Sequence, residues 1–192
     1  MFWKDLCGVT IRRDIMYKLI GLFSTLAFIL AGCGFSEADA DEKEKVDVSL
    51  VDSEGKEVGK ATLTENQKGV HILLQAKNLS PGVKAIHFHE TAKCEKPTFD
   101  SAGAHFNPAG KEHGFQNPKG YHAGDLPNIE VDQDGTIELE TITPAVVLTA
   151  GKSNSLLDED GSALVIHEKA DDYETDPSGN SGKRIVCGEI KK

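Results

Sequence analysis

The stretch between Thr91 and Leu126 constrains this chain more than any other, because it is too long, too polar and too rich in Gly and Pro to be held by core burial. A loop of that length inside a compact domain is normally functional. What this one carries is histidine. Of the seven histidines in the chain, five fall between His87 and His122, where hydrophobic patterning is weakest. His87 and His89 stand at i and i+2 after an alternating segment, so on a β-strand both imidazoles leave the same face, close enough to share one ion. His105, His113 and His122 follow, with Asp125 three residues after the last, and His167 comes later in the chain. That is the distribution of a metal site, in which ligation supplies the order that apolar packing cannot.

The flanking sequence has a period of two. Val46, Val48 and Leu50 alternate with polar residues, Ser53 to Lys56 turn, and Val58, Ala61 and Leu63 form a second strand with an expected irregularity at Gly59. Val70, Ile72, Leu74 and Ala76 share a face, which puts His71 on the solvent side. After the turn Asn78 to Gly82 comes the strand bearing His87 and His89. Ile129 and Val131, then Ile137 to Thr141, Pro144 to Leu148, Ala163 to Ile166 and Arg184 to Ile190 supply further strands, with a second unpatterned loop from Glu168 to Lys183. Aromatic residues are few and Gly is frequent, which favours short strands over long helices. Short strands at near-regular spacing predict one all-β sandwich or barrel over residues 45–192.

The N-terminus has to be set aside from this fold. Lys18 followed by the apolar run Leu19 to Leu30 reads as an export signal, too short for a comfortable membrane span. The run ends in Leu30-Ala31-Gly32-Cys33, which resembles a bacterial lipobox, so residues 1–32 are expected to be removed and Cys33 lipidated. Asp5 and Asp14 suit a signal's charged start poorly, which makes Met16 an alternative start to Met1, and N-terminal sequencing of the precursor decides between them. Residues 33–44, acidic and without apolar pattern, form a tether. Removal of residues 1–32 takes away four basic and two acidic side chains, so the formal charge moves from −10 to −12. Such a chain repels nucleic acid and anionic lipid alike. Only the lipid would hold it to the outer face of the cytoplasmic membrane.

The strings HFHE, AHFNP, EHG, HAGDLPN, VIHEKADD and GKRIVCG, in this order and at these spacings, resemble the copper/zinc superoxide dismutase family from roughly Val46 to Ile190. The resemblance implies a flattened eight-stranded Greek-key β-barrel, related to the immunoglobulin-like sandwich, with two long loops folded over one side. It assigns His87, His89, His105 and His167 to copper, and His105, His113, His122 and Asp125 to zinc, with His105 bridging the metals. No ligand position is substituted. An all-imidazole set suits copper, and three imidazoles with one carboxylate suit zinc. Asp171 is implied between His87 and His113, Arg184 as the cation beside copper that guides the anion, and Cys94–Cys187 as a disulfide tying the metal loop to the last strand. An exported chain sits where such a bond persists.

The activity implied is conversion of superoxide to dioxygen and hydrogen peroxide by Cu(II)/Cu(I) cycling, with a proton passed through His105. The substrate partner is the superoxide anion, the membrane is met through Cys33, and a homodimer is among the assemblies allowed. The competing reading is a catalytically weak zinc- and copper-binding lipoprotein of the same fold. One feature argues against strong steering: the loop that should guide the anion carries Glu168, Asp171, Asp172, Glu174 and Asp176 against Lys169, Lys183 and Arg184, with Lys119 as possible help from the first loop.

Overall fold

The computed structural model describes residues 44–192. The signal segment 1–32, Cys33 and the tether as far as residue 43 lie outside the described residues.

Among the described residues nine strands follow one another: β1 (Lys45–Asp52), β2 (Glu57–Asn66), β3 (Gly69–Ala76), β4 (Gly82–Lys84), β5 (Ile86–His89), β6 (Ile129–Val131), β7 (Ile137–Thr143), β8 (Ser162–His167) and β9 (Arg184–Ile190). Among the described residues the helical content is one 3-10 turn at Asp100–Ala102. Seven strands lie in the order β5-β8-β9-β1-β2-β3-β7, and β4 pairs with β6. All strand pairs are antiparallel. β4 and β5 are the two halves of one run, interrupted at Ala85, whose N–H donates to Lys169 O at 2.8 Å and whose carbonyl accepts from His167 N–H at 2.9 Å. Counted as one strand, they give the eight that the family resemblance implies. Because this run pairs with β6 at one end and with β8 at the other, it joins the two sheets and closes the core.

The core is the inward half of the alternation. Val48, Leu50, Ala61, Leu63, Val70, Ile72 and Leu74 are buried with Ile86, Phe88, Leu164 and Ile166. Each Val, Leu, Ile or Phe among them contributes about 1.5–3 kcal/mol by leaving water. On the opposite side of β5, β8 and β9 a smaller cluster of Phe99, Ala102, Ala163, Val165 and Cys187 supports the long loop. The two faces of these strands therefore serve different layers, core on one and site on the other.

The irregularity expected at Gly59 is a bulge at its neighbour. Leu50 pairs with Gly59 and Val51 with Glu57, which leaves Val58 unpaired. One expected strand is absent. Residues 144–148 form no strand, only a parallel bridge from Val147 to Ser155. Pro144 has no N–H for a ladder, and the amides of Leu148 and Thr149 donate instead to the Glu65 carboxylate, at 2.8 and 2.7 Å. Val146 and Leu148 still fill the core, so the apolar signal there marked burial rather than pairing.

Candidate metal centre

The site is built on β5. Ile86 and Phe88 point into the core, so His87 and His89 must leave the other face, opposite Val165 and Ala163 of β8. The long loop is then laced to this strand by its backbone. Phe88 N–H donates to Gly124 O at 2.9 Å, Gly124 N–H to Phe106 O at 2.8 Å, and Phe106 N–H to Phe88 O at 2.8 Å. Three distant segments meet here in a closed ring of bonds. Gly124 is required for the approach, since a Cβ on it would lie 2.3 Å from Phe88 O. His105 precedes Phe106 and Asp125 follows Gly124, so the lacing itself delivers both to β5.

Two donor clusters result, both buried. In one, Asp125 Oδ1 stands 2.9, 3.1 and 3.3 Å from the Nδ1 atoms of His105, His113 and His122. His105 Nδ1 and His122 Nδ1 are 3.4 Å apart. One acceptor oxygen facing three ring nitrogens that also face each other is a poor hydrogen-bond arrangement. It is a good tetrahedron: donors about 2.0–2.1 Å from a central ion lie about 3.3 Å from one another. The remaining oxygen, Asp125 Oδ2, accepts the N–H groups of Gly114 and His122 at 3.1 and 3.0 Å. Burial opposes the charge on Asp125, yet these imidazoles and amides hold its carboxyl well below the usual carboxylate range.

The second cluster gathers one ring nitrogen each from His87, His89, His105 and His167, all within 4.8 Å of one another. His89 Nε2 and His167 Nε2 are 3.4 Å apart. His87 Nδ1 and His105 Nε2 are buried with no hydrogen-bond partner. Among the described residues the only other such atom is Ser162 Oγ. Leaving two imidazole nitrogens unpaired in a dry interior is costly unless an ion takes their lone pairs. The outer nitrogens are all engaged. His89 Nδ1–H donates to Gly103 O at 3.0 Å, and His167 Nδ1 lies 3.1 Å from Ser181 Oγ and 3.3 Å from Gly182 O. Donation from Nδ1 leaves Nε2 as the free lone pair. Burial pushes His105 down to about 4 and His167 to about 3, so both rings are neutral and ready to coordinate at ordinary pH.

Asp171 ties the clusters together. Its Oδ2 is 2.8 Å from His87 Nε2 and its Oδ1 is 3.0 Å from His113 Nε2. Burial opposes the charge on His113, but Asp125 and Asp171 outweigh it and lift the imidazole to about 9. Asp171 is itself held in register by Asn128, whose Oδ1 accepts its N–H at 2.8 Å and whose Nδ2 donates to its carbonyl at 2.9 Å. Tyr173 completes the brace by accepting Asn128 N–H at its hydroxyl, 2.7 Å away. Asn128 and Tyr173 were not singled out from sequence. Asn128 closes the HAGDLPN string, which was the available signal.

Arg184 is half-buried and donates from Nη1 to Phe99 O at 2.7 Å and from Nη2 to Gly103 O at 2.6 Å. Gly103 O thus serves Arg184 and His89 together. The loop offering these carbonyls is tied down by the Cys94–Cys187 disulfide, Cα–Cα 5.7 Å. His71 lies outside both clusters, 2.9 Å from Glu140 Oε1 on the far side of the sheet. Lys119, which the sequence offered as an added steering charge, is paired at the surface with the Glu112 carboxylate.

Comparison with known proteins agrees with this geometry. The family model for copper/zinc superoxide dismutase (SODC) matches residues 57–190. Cu-Zn superoxide dismutase 2 of Aquifex aeolicus is 46% identical over 92% of this chain and 100% of its own length. A proline-to-histidine mutant of a SOD-like protein from Bacillus subtilis is 51% identical, with TM-score 0.75 over 76% of this chain and 97% of that one. The Cu/Zn superoxide dismutase from Brucella abortus, at 28% identity, superposes with TM-score 0.64 over 77% and 99%. The family match takes in every residue of both donor clusters, and the relatives are covered nearly end to end; the chain belongs to the copper/zinc superoxide dismutase family.

Proposed function

We propose that this protein is a working dismutase that converts superoxide to dioxygen and hydrogen peroxide outside the cytoplasmic membrane, to which lipid on Cys33 holds it. The cofactors of its family are copper and zinc, and the donor chemistry fits both. His87 Nδ1 and the Nε2 atoms of His89, His105 and His167 would hold copper. The Nδ1 atoms of His105, His113 and His122 with Asp125 Oδ1 would hold zinc. The observation that carries this reading is His105, whose Nδ1 belongs to one cluster while its buried Nε2 has no partner except the other.

The chemistry that copper supplies when bound is one-electron exchange, Cu(II) with Cu(I), which oxidises one superoxide and reduces a second. The residues of the chain do the rest. Zinc has no redox chemistry, so His113, His122 and Asp125 serve to hold His105 rigid and to carry charge. His105 Nε2 is the atom through which one of the two protons of peroxide would pass. Arg184 has five N–H donors, of which two are spent on carbonyls. Its remaining edge can bind a small anion.

The test is stopped-flow decay of superoxide by the oxidised chain loaded with one copper and one zinc. Rapid decay, lost when copper alone is removed, is expected. Slow decay with both metals bound would move the assignment to the second reading, a weak metal-binding lipoprotein, which is favoured by the name of a 45% identical relative, a superoxide dismutase-like protein of Bacillus subtilis. The anchor is tested by fractionating cells that carry Cys33→Ser, which should release the protein from membranes. Sedimentation of the metal-loaded chain tests the homodimer.

A further inference from the structure

The inward position of β4 is filled by a charge. The strand Gly82–Lys84 exposes Val83 and buries Lys84, which is 3% exposed. Alternation would place an apolar residue there, as it does at the inward positions of β1, β2 and β3. An ammonium has three donors. Among the described residues Lys84 Nζ meets one acceptor, the carbonyl of Glu168 at 3.2 Å, and it is paired with no carboxylate. Burying an ammonium without a counter-charge is costly, and breaking a local rule without local gain marks a functional constraint.

The gain lies in what Lys84 holds. Glu168 directly follows His167, at the point where β8 ends and the loop to Lys183 departs. The adjacent residue Ala85 grips the same segment twice, donating to Lys169 O at 2.8 Å and accepting from His167 N–H at 2.9 Å. Two consecutive residues therefore make three bonds to 167–169. Of the three, only the Lys84 bond comes from a side chain. It is the one that substitution can remove, and it lies immediately before the strand that carries His87 and His89.

We propose that Lys84 is a positioning residue: its buried ammonium fixes the Glu168 carbonyl, and through it the setting of His167. This rests on His167 holding copper. Lys84→Met keeps the apolar stem and removes the donor, whereas Lys84→Arg keeps a donor. Two readouts apply to the oxidised full chain. Amide hydrogen exchange at Ala85 and His167 without metal reads the clamp, and copper binding by chelator competition reads its consequence.

In Lys84→Met both amides should exchange at least about tenfold faster, and copper affinity should fall roughly 10- to 100-fold, the range for outer partners of metal ligands. Zinc affinity should stay unchanged, and Lys84→Arg should recover much of the loss. Unchanged exchange in Lys84→Met overturns the clamp, and zinc lost in step with copper overturns the positioning role. A wild-type chain that binds no copper overturns the His167 assignment instead, while the exchange result stands apart from it. Should Lys84→Met fail to fold, Lys84→Leu, which likewise has no donor, carries the same test.

Discussion

His167 and Arg184 are cross-strand partners at the last rung of β8 and β9, one step past a bulge that leaves Ile185 unpaired. The bulge decides where Arg184 points. Ile185 and Val186 both pack on the main core, although they are consecutive. In a regular strand Arg184, two residues before Val186, would share its face and be driven into that core. The bulge instead puts Arg184 on the face of Cys187, where it reaches the carbonyls of Phe99 and Gly103. Bulges re-aim side chains in this way.

Arg184→Lys should therefore cost more than its retained charge suggests. A point ammonium cannot span two carbonyls and still offer a planar edge to an anion. Losing one charge-assisted contact is worth about 1.5–3 kcal/mol, so kcat/KM should fall roughly 10- to 100-fold with copper content unchanged. Stopped-flow decay alongside metal analysis checks this, and a Lys variant at the wild-type rate would remove Arg184 from the site.

Asp171 makes one carboxylate serve both clusters. Asp171→Asn offers one acceptor oxygen where two ring nitrogens donate, at 2.8 and 3.0 Å, and turns an N–H toward the other. Affinity for both metals should drop about 10- to 100-fold. Competition titrations with copper and with zinc read it separately, and a loss confined to one metal would contradict the bridging role.

The donor set was legible because histidine is rare and chemically specific, and because the i, i+2 pair on β5 needs no tertiary information to share a face. The barrel was legible where alternation was strict. Residues 144–148 misled because burial and ladder pairing leave the same apolar mark, and only the Glu65 carboxylate, distant in sequence, shows where the amides go. Lys84 was silent for another reason: a buried lysine reads as an exposed one until the strand's neighbours are known. Asn128 lay in the HAGDLPN string, but nothing in its spacing tied it to Asp171. Lys119 was read without its partner because Glu112 lies across a turn of the same loop.

Gly124 is where three backbones close a ring. Gly124→Ala would put a methyl 2.3 Å from Phe88 O and must push the loop off β5. Overpacking of this kind costs about 1–3 kcal/mol, and here it also loosens His105 and Asp125. Thermal unfolding should shift downward in the oxidised, metal-free chain, and zinc binding should weaken. A variant with unchanged melting and zinc affinity would show that the loop can slide.

The Cys94–Cys187 bond spans a sequence separation of 93. In the chain-entropy model a closure of that length stabilises by about 4–5 kcal/mol. Reduction should lower the denaturant midpoint by a corresponding amount and, by freeing the loop that offers Phe99 O and Gly103 O, depress turnover before the barrel unfolds. Parallel loss of turnover and fold during reductant titration would contradict that order.

Salt should matter little to the rate. Steered association falls steeply with ionic strength when a one-sign field extends beyond the Debye length, about 10 Å at 0.1 M. Here the cations near the second loop, Lys169, Lys183 and Arg184, share it with Glu168, Asp171, Asp172, Glu174 and Asp176. The Asp172 carboxyl is held to about 2, chiefly by the Thr175 amide and hydroxyl and the Glu174 amide, and Asp176 accepts the His113 amide at 2.8 Å. Asp172 and Asp176 are tied into the loop by these bonds, and Lys119 is paired with Glu112. The attractive field is therefore short-ranged and centred on Arg184, against a formal net charge of −10. Between about 10 and 200 mM salt, kcat/KM should fall by less than about threefold, whereas a fall of tenfold or more would require a long-range cationic funnel that these residues do not make.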